Sequence, residues 1–266
     1  MSSLSELFNS VKKVISEKSF LENSKSFDRR PLIERTNALG GQRMKLLHWE
    51  VLKECEEIPR STDEKTVDAI EGIETYDVSK VEVIMVSHQW LRPSLNKDEA
   101  HPDSAEHLKA SSLNQYSNWR RSWVMENHDF YPEIFYWIDY SCLDQNNPNT
   151  GVPLLPLWVA SCERFLKIDT PNYNQRAWCR LEPLLSHVFS FADHLNTIDL
   201  NFKCNWPNTG AKKFQTLLDP VKGLTTDPND MPLIKELVDL TRDASMISGI
   251  TKKINFDSTK LKTFYL

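Results

Sequence analysis

The sequence predicts an α/β protein built on a parallel sheet with helices on its faces. Three short apolar runs, at 81–87 (VEVIMVS), 135–140 (FYWIDY) and 165–168 (FLKI), fit strands that are buried on both faces. Helical patterns over 105–127 and 154–162 separate these runs, as right-handed crossovers between parallel strands require. We therefore expect the three strands to lie side by side in one sheet.

This alternation divides the chain into three predicted parts. Residues 81–190 form the α/β core, and residues 1–80 form a helical N-terminal extension. Residues 191–266 form an α/β C-terminal extension packed on the core, with a strand within 191–202 and a helix over 231–247.

The N-terminal extension contains two stretches in which apolar residues recur every three or four positions. They are Leu4, Leu7, Phe8, Val11, Val14 and Ile15, followed by Met44, Leu47, Val51 and Leu52. This spacing predicts two amphipathic helices. Either they form an arm packed on the main domain, or the first one docks a partner or a second copy of the chain.

Composition excludes several classes of protein. The chain carries 32 Lys and Arg against 37 Asp and Glu, a net charge of −5, with no basic run that would follow a phosphate backbone. We therefore expect no nucleic-acid partner. No stretch of 18 apolar residues is present, which predicts no membrane span. The start of the chain lacks the apolar core of a signal peptide, so a cytoplasmic location is expected.

Cofactor and metal motifs are also missing from the sequence. Only seven glycines are present, and none forms a G-x-G-x-x-G or Walker loop. The five cysteines are widely spaced, lie mostly among apolar residues and form no C-x-x-C pair or His–Cys cluster. They predict reduced, buried thiols, no metal site and no resident cofactor.

Polar clusters follow each predicted strand of the core. Because the carboxyl ends of parallel strands share one edge of a sheet, these clusters are expected to meet there. The clusters are Ser87, His88, Gln89 and Trp90, extended by Arg92 and His101-Pro102-Asp103; Asp139, Tyr140, Ser141, Cys142, Asp144 and Gln145; and Tyr173, Trp178, Cys179, Arg180 and Glu182.

Each candidate also has a purely structural interpretation. His88 can bond a backbone carbonyl in a turn, and Asp139 can cap the next helix or pair with Arg180. Trp178 and Cys179 fit a buried anchor, and Glu182 fits an exposed helical glutamate. Glu182 nevertheless lies one helical turn beyond Trp178, close to the edge where α/β folds bind ligands.

The order of these elements resembles the Toll/interleukin-1 receptor (TIR) domain. The first strand ends in Met85-Val86-Ser87-His88, like the family's F-[IL]-S-[FY], and the second carries Asp139. The sequence Ala177-Trp178-Cys179-Arg180-Leu181-Glu182 is similar to the family's S-x-W-C-x-x-E helix. The stretch WIDYSCLDQN resembles a block of fungal heterokaryon-incompatibility (HET) domains. The likeness covers residues 81–190 and implies a parallel, flavodoxin-like sheet.

The resemblance also implies a function. Many TIR domains cleave NAD at the nicotinamide–ribose bond and do so as oligomers, in defence, innate immunity, cell death or toxin action. Glu182 is then the catalytic carboxylate that contacts the ribose. The residues implied to bind the nucleotide are Ser87, His88, Trp90, Asp139, Tyr140, Trp178 and Arg180. NAD is the substrate, not a resident cofactor.

Two alternatives stay open at the level of sequence. The chain departs from the TIR pattern by an insertion (RPSLNKDEAHPDS) after the first strand, and by the lack of a glycine-rich loop after Asp139. A TIR/HET-like module that signals by assembly without turnover fits these departures. A glycosidase or transferase that acts on another nucleoside or nucleotide keeps the same pocket.

Overall fold

The computed structural model describes residues 3–17, 19, 20, 26, 28–94, 96, 99–189, 195–203 and 217–246. Its strands are β1 (Lys45–His48), β2 (Val67–Asp68), β3 (Val81–His88), β4 (Glu133–Trp137), β5 (Arg164–Ile168) and β6 (Leu195–Ile198). They form one six-stranded sheet in the order β2-β1-β4-β3-β5-β6.

Helices connect and cover these strands. They are α1 (Leu4–Ser16), α2 (Arg30–Asn37), α3 (Trp49–Glu54), α4 (Ala69–Glu74), α5 (Leu108–His128), α6 (Asp139–Cys142), α7 (Leu155–Ala160), α8 (Ala177–Phe189) and α9 (Asp230–Ser245). Short 3-10 turns occupy Val78–Lys80, Pro148–Thr150, Val152–Leu154, Tyr173–Gln175 and Pro220–Lys222. No helix in the described part is long and apolar enough to cross a bilayer.

Four neighbouring strands, β4, β3, β5 and β6, run parallel, as the sequence predicts for the core. The first of them in the chain, β3, lies between β4 and β5, so the winding reverses direction at β3. In sheets of this kind, the crevice outside the carboxyl ends of the strands at the reversal is the usual ligand site.

Both faces of the parallel strands are buried under helices. Val83 and Met85 belong to the apolar cluster that contains α1, α7, α8 and α9. Ile84 and Val86, which alternate with them, belong to a second cluster on the other face with α3 and α5. This alternation explains why the strand sequences are almost continuously apolar.

The prediction of a parallel sheet is confirmed only in part, because β1 pairs antiparallel with both β2 and β4. The helix predicted through Met44, Leu47 and Leu52 begins only at Trp49. Leu46 and Leu47 pack into opposite core clusters, as successive strand residues do. An apolar pattern this short fits the spacing of a helix and that of a strand equally well. The N-terminal extension thus contributes two strands, β1 and β2, to the sheet as well as helices.

The first helix packs on the domain. Its apolar stripe is buried in the same cluster as the helices of the core, except that Leu4 is 38% exposed. Ser3 and Glu6 form a capping box at its start. The stripe is therefore covered within the chain, which fits the interpretation of a packed arm.

Several predicted boundaries moved by a few residues. The second apolar run ends as a strand at Trp137, because Asp139 already opens α6. The helix expected over 231–247 is present as Asp230–Ser245, and the strand expected within 191–202 is Leu195–Ile198. The turn suggested at 205–209 lies outside the described residues.

Candidate functional site

A cavity of about 670 Å³ lies at the carboxyl edge of the parallel strands. His88, the last residue of β3, lines it together with Asp139, which follows β4 and opens α6. The helix α8 contributes Glu182 and Trp178 to the same cavity. Three polar clusters that are far apart in sequence therefore meet at one edge, as parallel strands predict.

Glu182 is buried at the inner wall of this cavity, with only 6% of its surface exposed. Its Oε2 accepts a hydrogen bond of 2.5 Å from Ser87 Oγ, and that hydroxyl also bonds the Tyr173 hydroxyl. Ser87 and Tyr173 are themselves buried. The interpretation of Glu182 as an exposed helical residue is therefore wrong.

Burial raises the pKa of Glu182 well above its usual value, and the negative charge of nearby Asp139 raises it further. The hydrogen bond from Ser87 and the charge of Lys109 act in the opposite direction but are outweighed. No cation lies within ion-pair distance of Glu182 among the residues that the structure describes. The surroundings of Glu182 therefore favour its protonated form.

Asp139 has the opposite protonation state. Its carboxylate accepts hydrogen bonds from His88 Nε2 at 2.8 Å, Trp90 Nε1 at 2.9 Å and the backbone N–H of Tyr140 at 2.7 Å. Burial opposes ionisation, but His88 and these hydrogen bonds outweigh it and hold the pKa of Asp139 below its usual value. The side chain is 26% exposed and faces the cavity as an anion.

His88 does not simply satisfy a turn. Its side chain is fully buried between Asp139, on its Nε2 side, and Lys109, whose Nζ lies 3.3 Å from Nδ1. Burial lowers the pKa of His88, and the positive charge of Lys109 lowers it further. His88 is therefore neutral at neutral pH.

The aromatic candidates form part of the wall. Trp90 and Tyr140 both line the cavity and meet edge to face, with ring centroids 5.3 Å apart. Trp178 is half-buried, lines the cavity and donates its Nε1–H to Asp230 at 2.8 Å, whereas Cys179 beside it is buried. Of the two residues expected to form a buried anchor, Trp178 and Cys179, only Cys179 is buried.

Two of the residues implied to bind the nucleotide, Ser87 and Arg180, do not line the cavity. Ser87 is fully buried against Glu182. Arg180 is turned to other partners. Its guanidinium donates to the backbone carbonyls of Asn174 at 2.7 Å and Asp219 at 3.0 Å, and it makes no pair with Asp139. Arg180 follows Cys179 on α8, so it projects toward the 3-10 turn at Pro220–Lys222 rather than toward the sheet edge. The expected charge pair is therefore absent.

The insertion after β3 forms the outer wall. Pro93, Ser94 and Ala100 line the cavity, and His101 packs edge to face on Tyr140 at 4.9 Å. Asp103 is fully buried and accepts the backbone N–H groups of residues 104, 109 and 110, which anchors the insertion to the start of α5.

Sequence reasoning missed two features of the site. Lys109 is not among the sequence candidates, although within the helix predicted over 105–127 it shares three- and four-residue spacing with the buried Leu113, Tyr116 and Arg120. The far wall of the cavity, which includes Leu4 and Leu233, comes from the two extensions. No local motif indicates such a wall, since it depends on how separate helices pack.

The described residues contain no group of His, Cys, Asp or Glu side chains arranged to hold a metal ion. The cysteines in this part are unpaired. Comparison with models of protein families, with curated proteins and with solved structures found no match. The chemistry of the site therefore has to be argued from its own geometry.

Two carboxyl groups whose pKa values are shifted in opposite directions face this one cavity. Neighbouring groups whose pKa values are pushed apart can divide the work of an acid and an anion between them. The neutral Glu182 can give a proton or release one when a cation arrives, and the anionic Asp139 can stabilise developing positive charge.

Proposed function

We propose that this chain is a TIR-like enzyme that cleaves the N-glycosidic bond between nicotinamide and ribose in NAD. The observation that carries the proposal is that two carboxyl groups meet at the switch-point crevice of the sheet: Glu182, whose burial favours the neutral acid, and Asp139, whose hydrogen bonds favour the anion. The proposal includes a protonated Glu182 at neutral pH. The resemblance in the W-C-x-x-E helix and the order of the parallel strands support the same family.

The chemistry fits this pair. The nicotinamide ring of NAD carries a positive charge, and a cation close to a carboxyl group lowers its pKa. Binding then releases the proton of Glu182, which becomes an anion at the ribose. The bond between C1′ and the ring nitrogen breaks with its electron pair moving to nicotinamide, and the two carboxylates stabilise the oxocarbenium-like ribose.

Hydrolysis completes the reaction. A water molecule adds its oxygen to C1′ and gives up one proton, which a carboxylate at the site accepts. The products are nicotinamide and the ribosylated remainder of NAD. Ser87 holds the Glu182 carboxyl in place, and the Tyr173 hydroxyl holds Ser87.

The size of the cavity suits a dinucleotide. Its volume of about 670 Å³ lies within the range of sites for drug-sized ligands. From Glu182 it extends to apolar side chains of α1, α7 and α9, such as Leu4, Leu155 and Leu233. We propose that nicotinamide and its ribose lie between Glu182 and Asp139 and that the adenine end lies on this apolar wall.

A second candidate is favoured by the protonated state of Glu182. A neutral base, unlike nicotinamide, needs a proton to leave, and a carboxylic acid with a raised pKa supplies one. A glycosidase acting on a neutral nucleoside or nucleotide therefore uses the same pair, with Glu182 as general acid and Asp139 as the stabilising anion.

The test is incubation of the purified protein with NAD, with nicotinamide mononucleotide, and with adenosine and inosine, at low and high protein concentrations. Released bases are separated by chromatography. Release of nicotinamide supports the first function, and a rate per molecule that rises with concentration supports a homo-oligomeric enzyme. Release of adenine or hypoxanthine alone supports the second. No release from any substrate contradicts both and leaves the non-catalytic signalling module.

A cytoplasmic defence, cell-death or toxin role belongs to the same proposal. It follows from the resemblance, because NAD depletion is what such an activity would cause in a cell.

A further inference from the structure

Lys109, in the first turn of α5, is a buried lysine with no carboxylate partner. Its surface exposure is 0%, and no Asp or Glu of the described residues lies within ion-pair distance of its Nζ. Instead, Nζ donates to Pro102 O at 2.6 Å, to Gln89 O, and to His88 Nδ1 at 3.3 Å. Burial lowers the pKa of Lys109 to about 8, so the ammonium form prevails at neutral pH.

Burying an ammonium group in the interior costs free energy unless its protons are hydrogen-bonded. Here each of the three ammonium protons has an acceptor, which offsets that cost. Two of these acceptors are backbone carbonyls at the end of β3 and in the insertion. The third is an imidazole nitrogen that belongs to the candidate site.

The contact with His88 determines the state of the imidazole. An ammonium group can only donate hydrogen bonds, so Nδ1 of His88 must present its lone pair. The ring proton of neutral His88 then lies on Nε2, which donates to Asp139 Oδ1 at 2.8 Å. With the opposite tautomer, Nδ1–H would face Lys109 and an unprotonated Nε2 would face the Asp139 carboxylate.

We infer that Lys109 is a positioning residue, which holds His88 as the neutral Nε2–H tautomer and thereby keeps the Asp139 carboxylate hydrogen-bonded to the ring and directed into the cavity. The kinetic consequence rests on the proposed function, whereas the state of His88 does not. Trp90 Nε1–H and the backbone N–H of Tyr140 also donate to the Asp139 carboxylate. Of these three donors, only the Nε2–H of His88 depends on a tautomer.

The charged and titratable groups around His88 come from several elements. Lys109 on α5 and Asp139 on α6 contact the ring, and Asp103 of the insertion raises its pKa from a greater distance. From α8, Cys179 donates its thiol to the His88 carbonyl at 3.5 Å. Of these groups, Lys109 alone lowers the pKa of His88 by its charge.

Lys109 also ties the insertion to β3, and this purely structural role needs a matched control. Arg92 supplies one, because its Nε donates to the Asp103 carbonyl at 2.9 Å and so ties the two ends of the insertion together without contacting His88. Arg92→Met removes one tie within the insertion and leaves the contact between Lys109 and His88 in place. Lys109→Met removes a tie to the insertion and also the contact with His88.

The experiment is ¹⁵N NMR of the imidazole nitrogens in the full-length protein, with the signals of His88 among the seven histidines assigned by His88→Gln. The wild type is expected to show a neutral Nε2–H ring at pH 7. In Lys109→Met, the pKa of His88 is expected to rise, since a neighbouring positive charge has gone, and Nδ1 is expected to take up a proton, so that signals of the imidazolium appear. Arg92→Met is expected to match the wild type.

For the NAD reaction, Lys109→Met is expected to lower kcat by roughly 10- to 100-fold with KM nearly unchanged. The reason is that Lys109 acts on Asp139 only through His88. An Nδ1–H ring or an imidazolium in the wild type at pH 7 overturns the inference, even if Lys109→Met does not fold. Unchanged His88 signals in a folded Lys109→Met also overturn it. If the wild type cleaves no nucleotide, the proposed function fails, and the NMR result still decides the role of Lys109.

Discussion

Two glutamates at opposite edges of the sheet show how differently one residue type is used. Glu182 lies at the carboxyl edge, bonded only to a hydroxyl group and close to the anionic Asp139. Glu163 lies at the amino edge, just before β5, where it pairs with Arg29 at 3.2 Å and accepts the backbone N–H of Val83 at 2.6 Å. Burial raises the pKa of both groups, for Glu163 to about 7.

The difference lies in their partners. The Glu163 carboxylate binds the guanidinium of Arg29 in the N-terminal extension and a backbone N–H of β3 in the core. It therefore joins the extension to the core. Among the described residues, Glu182 has no cation within ion-pair distance, and it has a negative neighbour and a cavity in front of it. A raised pKa alone thus does not mark a catalytic group, whereas a raised pKa without a cationic partner at a cavity marks a candidate.

The largest effect is expected from Glu182→Gln. The amide keeps the size of the side chain but can form no anion, so nicotinamide release should fall by about 10³-fold or more. Glu163→Gln is the matched control, because it makes the same change at the other edge of the sheet. Chromatography of the released base measures both. Equal losses in the two variants would show that the effect is structural.

The next largest effect is expected from Asp139→Asn. The substitution removes the permanent anion of the cavity, so the rate should fall by about 10²-fold. It should also lower the pKa of Glu182, because a negative neighbour has gone. Rate measurements from pH 5 to pH 9 check both parts. A variant with the wild-type rate and profile would remove Asp139 from the mechanism.

The pH dependence of stability should separate the two glutamates. Each folded-state pKa is raised, so the folded protein binds more protons than the unfolded chain between the two pKa values. Stability is therefore full below the unfolded value and is lost as pH rises, at about 1.4 kcal/mol per pH unit for one group. For Glu163 the loss ends near pH 7. For Glu182 the proposed mechanism requires a proton that is still bound at pH 7, so we expect the loss to continue above pH 7.

Urea unfolding of the wild type, Glu182→Gln and Glu163→Gln at pH 5, 6, 7 and 8 measures these losses. The free energy of unfolding of Glu182→Gln relative to the wild type should keep rising from pH 7 to pH 8, whereas that of Glu163→Gln should level off. Parallel curves for the two variants would contradict the contrast.

The smallest effect is expected from Arg29→Met. It removes the cationic partner of Glu163, which should raise the pKa of that carboxyl further and lower the free energy of unfolding by about 1–3 kcal/mol. Turnover by the folded protein should not change, because Arg29 and Glu163 lie at the edge remote from the cavity. A loss of turnover in the folded variant would show that the two edges of the sheet are coupled and would contradict this contrast.

The parallel strands and their polar ends could be predicted from the sequence, because apolar runs mark buried strands and parallel strands bring their ends together. Ser87, Asp139 and Glu182 thus meet as expected. The strand β1 could not be predicted, since a short apolar pattern fits a helix equally well. Two partners of Lys109, His88 and Gln89, and the partner Arg29 of Glu163 lie 20 or more residues away in the chain, and no local spacing encodes such contacts.

The central claim is that Glu182 is a neutral acid that loses its proton when a positively charged nicotinamide ring binds. The most direct test is calorimetry with the N-methylnicotinamide cation, which has the charged ring but no ribose to lose, in buffers of different ionisation enthalpy. At pH 7 we expect the wild type to release about one proton on binding and Glu182→Gln to release none. Binding without proton release by the wild type, or equal release by both proteins, would contradict the account.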